Sequence, residues 1–166
     1  MRIAIIGGGA AGCFCAIGLK RRLPDAEVTV YEAGPKLLAK VAVTGGGRCN
    51  LTNSFRDVRR LGVVYPRGEQ LMRRALAVFS HEDTMRWFEA EGVRLTVQED
   101  QCVFPVSQDA MQIVRTLERC LRDAGVVIRL NTRVERVDDL QADKVVVTVG
   151  GMSREKLSGC CRRGSK

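Results

Sequence analysis

The feature that most constrains this chain is Gly7-Gly8-Gly9-Ala10-Ala11-Gly12, set between a β-branched run and an apolar helix. Arg2 to Ile6 reads as a buried parallel strand, because a strand covered on both faces carries no polar alternation. Cys13-Phe14-Cys15-Ala16-Ile17-Gly18-Leu19 is apolar almost all round. It reads as a buried crossover helix, stopped by Leu23-Pro24-Asp25. Val28-Thr29-Val30-Tyr31 supplies the next strand, with Glu32 at its tip. Together these make a βαβ unit of about thirty residues, the size a parallel crossover requires.

The glycines match G-x-G-x-x-G in the setting that gives the pattern meaning. Gly7 permits the tight turn, Gly9 lets main chain approach a pyrophosphate, and Gly12 lets helix and strand pack closely. A helix N-terminus presents free N–H groups and roughly +0.5 of a charge to phosphates. Glu32 stands twenty positions after Gly12, where a carboxylate can accept both ribose hydroxyls. A Glu, with no Arg beside it, disfavours a 2′-phosphate. Strand, helix and acid in register predict dinucleotide binding. FAD and NAD both remain open on these residues alone.

Residues 33–66 read as mostly irregular, and a connection that long inside a compact domain points to function or disorder. Helical spacing follows over 68–79. Ser80 is a predicted N-cap, with Asp83 three residues on. Short strands are expected at 93–97 and 102–104, around a Glu99-Asp100 turn. Ser107 is expected to cap a helix carrying Ala110, Ile113, Val114, Leu117, Leu121 and Ala124, with Gly125 ending it. Strands are expected at 126–128, 134–137 and 145–149. Strands alternating with helices give an α/β class with a largely parallel sheet.

Composition excludes several function classes. The chain has 166 residues, the size of one domain, and a net charge of +8. Residues 152–166 contribute five basic side chains and one acid, so +4 of that charge sits in the tail. Of the 27 basic residues 21 are Arg, and doublets such as Arg59-Arg60 and Arg73-Arg74 lack an aromatic platform. They read as solvated faces, so no nucleic-acid partner is expected. No run reaches ~18 apolar residues, so no membrane span is expected. The N-terminal apolar run is too short for a signal peptide, and a cytoplasmic location is expected. Cysteines fall at 13, 15, 49, 102, 120, 160 and 161. Their odd count argues against a disulfide framework, and their spacing with a single histidine, His81, argues against a metal site. Cys13, Cys15 and Cys120 read as small core residues, and His81 as a surface residue.

A second motif is Val43-Thr44-Gly45-Gly46-Gly47-Arg48-Cys49-Asn50-Leu51-Thr52-Asn53. Three glycines let main chain run close to a flat or anionic ligand. Arg48 adds a fixed charge with forked donors, and Asn50, Thr52 and Asn53 add neutral hydrogen-bonding groups. On chemistry alone a turn with Asn caps fits these residues equally well.

The glycine fingerprint with Glu32, the GGGRCNLTN segment, Phe104-Pro105-Val106-Ser107 before a helix, and Gly125 to Val134 together resemble the BaiN-like (YhiN-like) flavoproteins. The resemblance covers residues 1–153. It implies a Rossmann-like FAD/NAD(P)-binding fold of the two-dinucleotide-binding-domain type, truncated, and an FAD-dependent oxidoreductase. By that resemblance Gly7, Gly9, Ala10, Ala11 and Gly12 would hold the pyrophosphate, and Glu32 with Ala33 the adenosine ribose. Gly45, Gly46, Arg48, Cys49 and Asn50 would run along the pyrophosphate and ring region. Val134 would lie against the adenine, and Gly150 would also belong to the cofactor site. Hydride would pass from NAD(P)H through FAD to an unsaturated or carbonyl small-molecule substrate. No catalytic residue is identified, and Cys49, without an acid–base partner in the sequence, reads as a packed or solvated thiol.

Two departures stand out. The family has Ala-Thr-Gly-Gly where this chain has Thr148-Val149-Gly150-Gly151. After Ser153 the likeness is expected to end. The expected organisation is therefore 1–153 as the N-terminal part of an FAD-binding domain and 154–166 as a divergent, disordered basic tail. Such a piece would bind FAD weakly and have little or no activity. The competing readings are a stand-alone NAD-binding domain without flavin chemistry and a nucleic-acid module using the tail.

Overall fold

The computed structural model describes residues 1–151. The proposed tail, 154–166, lies outside the described residues. The described residues divide into two compact units, one built from 1–41 and 117–151, the other from 42–116.

The first unit is a parallel sheet. It contains β1 (Arg2–Ile6), α1 (Ala10–Arg22), β2 (Glu27–Tyr31), β6 (Val127–Arg129) and β7 (Lys144–Val147). The strand order is β6-β2-β1-β7, every pairing parallel. Ile3 to Ile6 of β1 are buried at successive positions, as a strand covered on both faces requires, whereas β2 buries Val28 and Val30 in alternation with Thr29. α1 buries Gly12, Cys13, Ala16 and Ile17 and places Lys20, Arg21 and Arg22 in its last turn, the end where cations are stabilised.

The second unit carries a 3₁₀ segment (Val41–Gly47), β3 (Thr52–Asn53), α2 (Leu61–Val64), α3 (Glu69–Val78), α4 (His81–Ala90), β4 (Leu95–Val97) and β5 (Cys102–Pro105). Its sheet is antiparallel, in the order β3-β5-β4. The hairpin expected around Glu99-Asp100 is present. The Ser80–Asp83 capping box is complete, with Asp83 N–H donating to Ser80 Oγ at 3.1 Å and Ser80 N–H donating to Asp83 Oδ2 at 2.8 Å. α5 (Ala110–Asp123) begins in this unit and ends in the first, and Gly125 closes it at φ +71°.

Three local expectations are corrected. Residues 134–137 form no strand: the segment is irregular and ends in a 3₁₀ turn, Val137–Asp139. Arg133, Glu135 and Arg136 are exposed there, and Val134 and Val137, three apart, are only half-buried, so the segment has no period-two apolar face to pack as a strand. The cap of α5 is Asp109 rather than Ser107. Asp109 Oδ1 accepts the Met111 N–H at 2.9 Å, while Ser107 Oγ, two residues earlier, accepts the Asp109 N–H. His81, expected at the surface, is half-buried and stacks on Phe55 with ring centroids 4.9 Å apart.

Candidate functional site

β1, β2 and β7 run in the same direction, so their carboxyl ends open on one side. β1 is the strand at which the chain order reverses, with β2 on one flank and β7 on the other. Such a switch point is where open α/β sheets form a ligand crevice. Ile6 pairs with Tyr31 and with Val147, so Gly7, Glu32 and Thr148 all fall immediately beyond strand ends.

The four glycines of the turn have different reasons to be glycine. Gly7 has φ +107°, and a Cβ there would lie 2.6 Å from the Thr148 carbonyl oxygen. A Cβ on Gly8 would collide with Leu37 Cδ2, and one on Gly12 would collide with the Gly7 carbonyl oxygen and lie 2.7 Å from Thr148 Oγ1. Gly9 is the exception, because nothing lies within 4 Å of its Cβ position. The open space is at the residue where the glycine fingerprint expects main chain to approach a diphosphate. Gly9 is also the N-cap of α1, and no side chain caps that helix. The first N–H groups of a helix lack intrahelical partners, and Ala10 and Ala11 beside them are exposed.

Glu32 turns back into this site. Its Oε2 accepts the Gly8 N–H and its Oε1 the Gly34 N–H, both at 2.7 Å. An ionised carboxylate has about four acceptor positions, so two more remain for ribose hydroxyls. The donor set thus fits the ADP half of a dinucleotide: bare amides for phosphate, a carboxylate for the sugar. Ala33 is exposed beside it, and the Thr132 N–H donates to the Glu32 carbonyl at 2.8 Å, bringing the chain leading to half-buried Val134 onto the same strand end. Gly150 follows β7 at φ +75°, with Lys40 Nζ 3.9 Å from its Cβ position. A groove of about 470 Å³ lies in the same unit, lined by Pro35, Leu37, Val126, Ile128 and Leu130 together with the charged Lys36, Glu118 and Arg122.

Sequence reasoning missed two residues here. Thr148 Oγ1 lies 2.9 Å from the Gly7 carbonyl and 3.0 Å from the Ile6 carbonyl. The signal was available, since Thr148 opens the segment that departs from Ala-Thr-Gly-Gly. Leu37, buried against Gly8, had no signal in the sequence.

In the second unit the glycine-rich loop is built from left-handed turns. Gly45, Gly46 and Gly47 have φ +56°, +67° and +84°, and Cys49 has φ +61°. A Cβ on Gly45 would lie 2.8 Å from the Asn50 nitrogen. Arg48 folds back: its Nε donates to the Gly45 carbonyl at 3.1 Å and its guanidinium carbon sits 4.4 Å over the Phe104 ring. Gly45, Gly46, Arg48 and Asn50 are exposed, and the Asn50 amide contacts Cys102 Sγ at 3.2 Å. Cys49 is buried, and burial pushes its thiol above the ordinary range. A buried neutral thiol is a poor nucleophile. Among the described residues no group of His, Cys, Asp and Glu is arranged to hold a metal ion, and no helix is long and apolar enough to cross a membrane.

Comparison with known proteins agrees with this geometry. The chain is 32% identical over 169 residues to a 3-dehydro-bile acid delta(4,6)-reductase of Clostridium scindens, covering 94% of this chain and 40% of the relative. It is 32% identical over 143 residues to a ribosomal RNA dihydrouridine synthase of Haemophilus influenzae, covering 86% of this chain and 34% of the relative. The corresponding enzyme of Escherichia coli is 29% identical over 168 residues, with 92% and 40% covered. The chain therefore spans two fifths or less of the curated relatives it matches. Among solved structures, the fold is similar to that of Thermovibrio ammonificans THI4, with TM-score 0.53, 15% identity, and 82% of this chain and 40% of that chain covered. The HI0933-like protein Rossmann domain matches residues 1–160, past Ser153, where the likeness was expected to end. On that match and the open, uncapped glycine turn, the chain belongs to the HI0933-like family, through its Rossmann domain.

Proposed function

We propose that this chain is the FAD-binding part of a flavin-dependent oxidoreductase. The observation that carries the reading is the Glu32 carboxylate, bound to the Gly8 amide at 2.7 Å beside an uncapped helix N-terminus. Gly9, Ala10, Ala11 and Gly12 would offer amides to the diphosphate, while Gly7, whose N–H donates to the Tyr31 carbonyl at 2.8 Å, would shape the turn that brings them there. Glu32, flanked by Ala33, would accept from the adenosine ribose, and Val134 and Gly150 would border that half. Gly45, Gly46, Arg48, Cys49 and Asn50 are assigned to the rest of the cofactor by family resemblance. A bound FAD would supply hydride chemistry, with NAD(P)H as donor and an unsaturated or carbonyl compound as acceptor. The name of one relative supports that class: it is a 3-dehydro-bile acid delta(4,6)-reductase. Titration of the purified chain with FAD should shift the flavin band at about 450 nm with weak but saturable affinity, and Glu32→Gln should abolish that shift. Retention of NAD with no flavin would instead favour the NAD-binding reading.

The partner admits a second reading. No nucleic-acid partner was expected, yet two of the relatives are named for ribosomal RNA. Arg56, Arg59, Arg60, Arg67, Arg73 and Arg74 are all exposed, a basic set that could meet RNA phosphates, and this supports an RNA substrate as the second reading. Filter binding to an RNA hairpin that weakens steeply with salt supports RNA; salt-independent or absent retention supports the small-molecule reading.

A further inference from the structure

The peptide joining Gly7 to Gly8 is held at both ends. Its carbonyl meets Thr148 Oγ1 at 2.9 Å and its N–H meets Glu32 Oε2 at 2.7 Å. A trans peptide points these two groups in opposite directions, so Thr148 and Glu32 grip one rigid plane from opposite sides. Thr148 Oγ1 is also near the Ile6 carbonyl, but that oxygen already accepts the Thr148 N–H at 2.8 Å. A hydroxyl donates one proton. The Gly7 carbonyl, tucked under the first turn of α1 where any Cβ on Gly12 would strike it, is the acceptor that needs that proton.

Glycine on both sides leaves this plane without the steric restraint a Cβ supplies. If it rotated, a carbonyl oxygen would face the Glu32 carboxylate, and the Gly8 N–H would leave it. We infer that Thr148 is a positioning residue: by holding the Gly7 carbonyl it aims the Gly8 N–H at Glu32, and so sets the carboxylate that grips the ribose. The inference rests on the dinucleotide reading for its last step only, because the restraint on the peptide is a property of the chain itself.

The test uses the full chain, ADP as probe, and Thr148→Val, Thr148→Ser and Glu32→Gln. Amide hydrogen exchange at Gly8 is compared with that at Ile3 to Ile6, which report the sheet. Thr148→Val should speed exchange at Gly8 alone and weaken ADP binding roughly three- to tenfold, the loss of one neutral hydrogen bond; Thr148→Ser should restore both. In Glu32→Gln the further change to Val should cost less than it does in the parent chain, since the two residues act through one peptide. Unchanged Gly8 protection in Thr148→Val, or fully additive losses, overturns the inference. Should Val disturb the sheet amides, Thr148→Ala removes the hydroxyl without a new methyl, and the same comparison decides. If the parent chain binds no ADP, the dinucleotide reading fails, while Gly8 exchange still decides whether Thr148 holds the peptide.

Discussion

Gly9 and Gly12 occupy the same motif and answer to different forces. A methyl on Gly12 meets the Gly7 carbonyl and Thr148, which are backbone and a held side chain. Gly12→Ala is therefore expected to destabilise the chain by about 1–3 kcal/mol, the range for overpacking, read as a lowered denaturant midpoint. A methyl on Gly9 meets no protein atom. Gly9→Ala should cost less than about 1 kcal/mol, the penalty of Ala at an N-cap, while nucleotide binding measured by titration calorimetry falls sharply. The thiols divide just as cleanly. Cys13 is buried against the Gly8 carbonyl, and burial first, then Glu118 and Glu32, push its thiol up to about 12. Iodoacetamide at pH 8, followed by peptide mass spectrometry, should label half-buried Cys102 well before Cys13 or Cys49.

At the scale of elements, α4 is set by its first turn. Asp83 accepts the Ser80 N–H, pairs with Arg86 at 2.8 Å and accepts the Ser80 hydroxyl, and these hold its carboxyl well below the ordinary 3.8. A depressed carboxyl stabilises the fold above the unfolded pKa, and that contribution is lost as pH falls through the folded one. The stability gap between the parent chain and Asp83→Asn should be constant near neutrality and shrink below about pH 4, followed by thermal melting at several pH values. Ser80→Ala should cost about 1 kcal/mol at pH 7. This capping box was legible in the sequence because its partners are three residues apart. The cap of α5 was misread because Ser107 and Asp109 are both good caps, and only helix packing of Ala110 and Ile113 chooses between them. Residues 134–137 place valines three apart with charges between, so they lack the period of two that marks a strand, and no partner edge among the described residues holds them in one.

For the whole molecule, the parallel sheet ends in two strands that pair on one side only among the described residues, β6 and β7. Val127, Ile128 and Val147 are exposed there, at 46%, 36% and 36%. Edge strands of this kind template association. Dynamic light scattering should show aggregation rising with concentration, reduced by Val127→Lys. The division of the chain at residues 41 and 117 had no counterpart in the sequence reading, which saw residues 33–66 as one long connection. Those residues hold a 3₁₀ segment, a strand and a short helix that belong to their own unit, and their register depends on β5, fifty residues away in sequence.

What this sequence determined by itself is what short spacing can encode: the strand–turn–helix, its glycines, the acid at the next strand's tip and the N-cap of α4. Each depends on residues within about one turn or one βαβ crossover of each other, so composition and period suffice. Only the tertiary structure decided the rest. Thr148 reaches Gly7 from 141 positions away, Leu37 fills the space that keeps Gly8 a glycine, and β6 joins the sheet outside β2. Those contacts are made by packing, and packing chooses among partners that one-dimensional patterns leave equivalent.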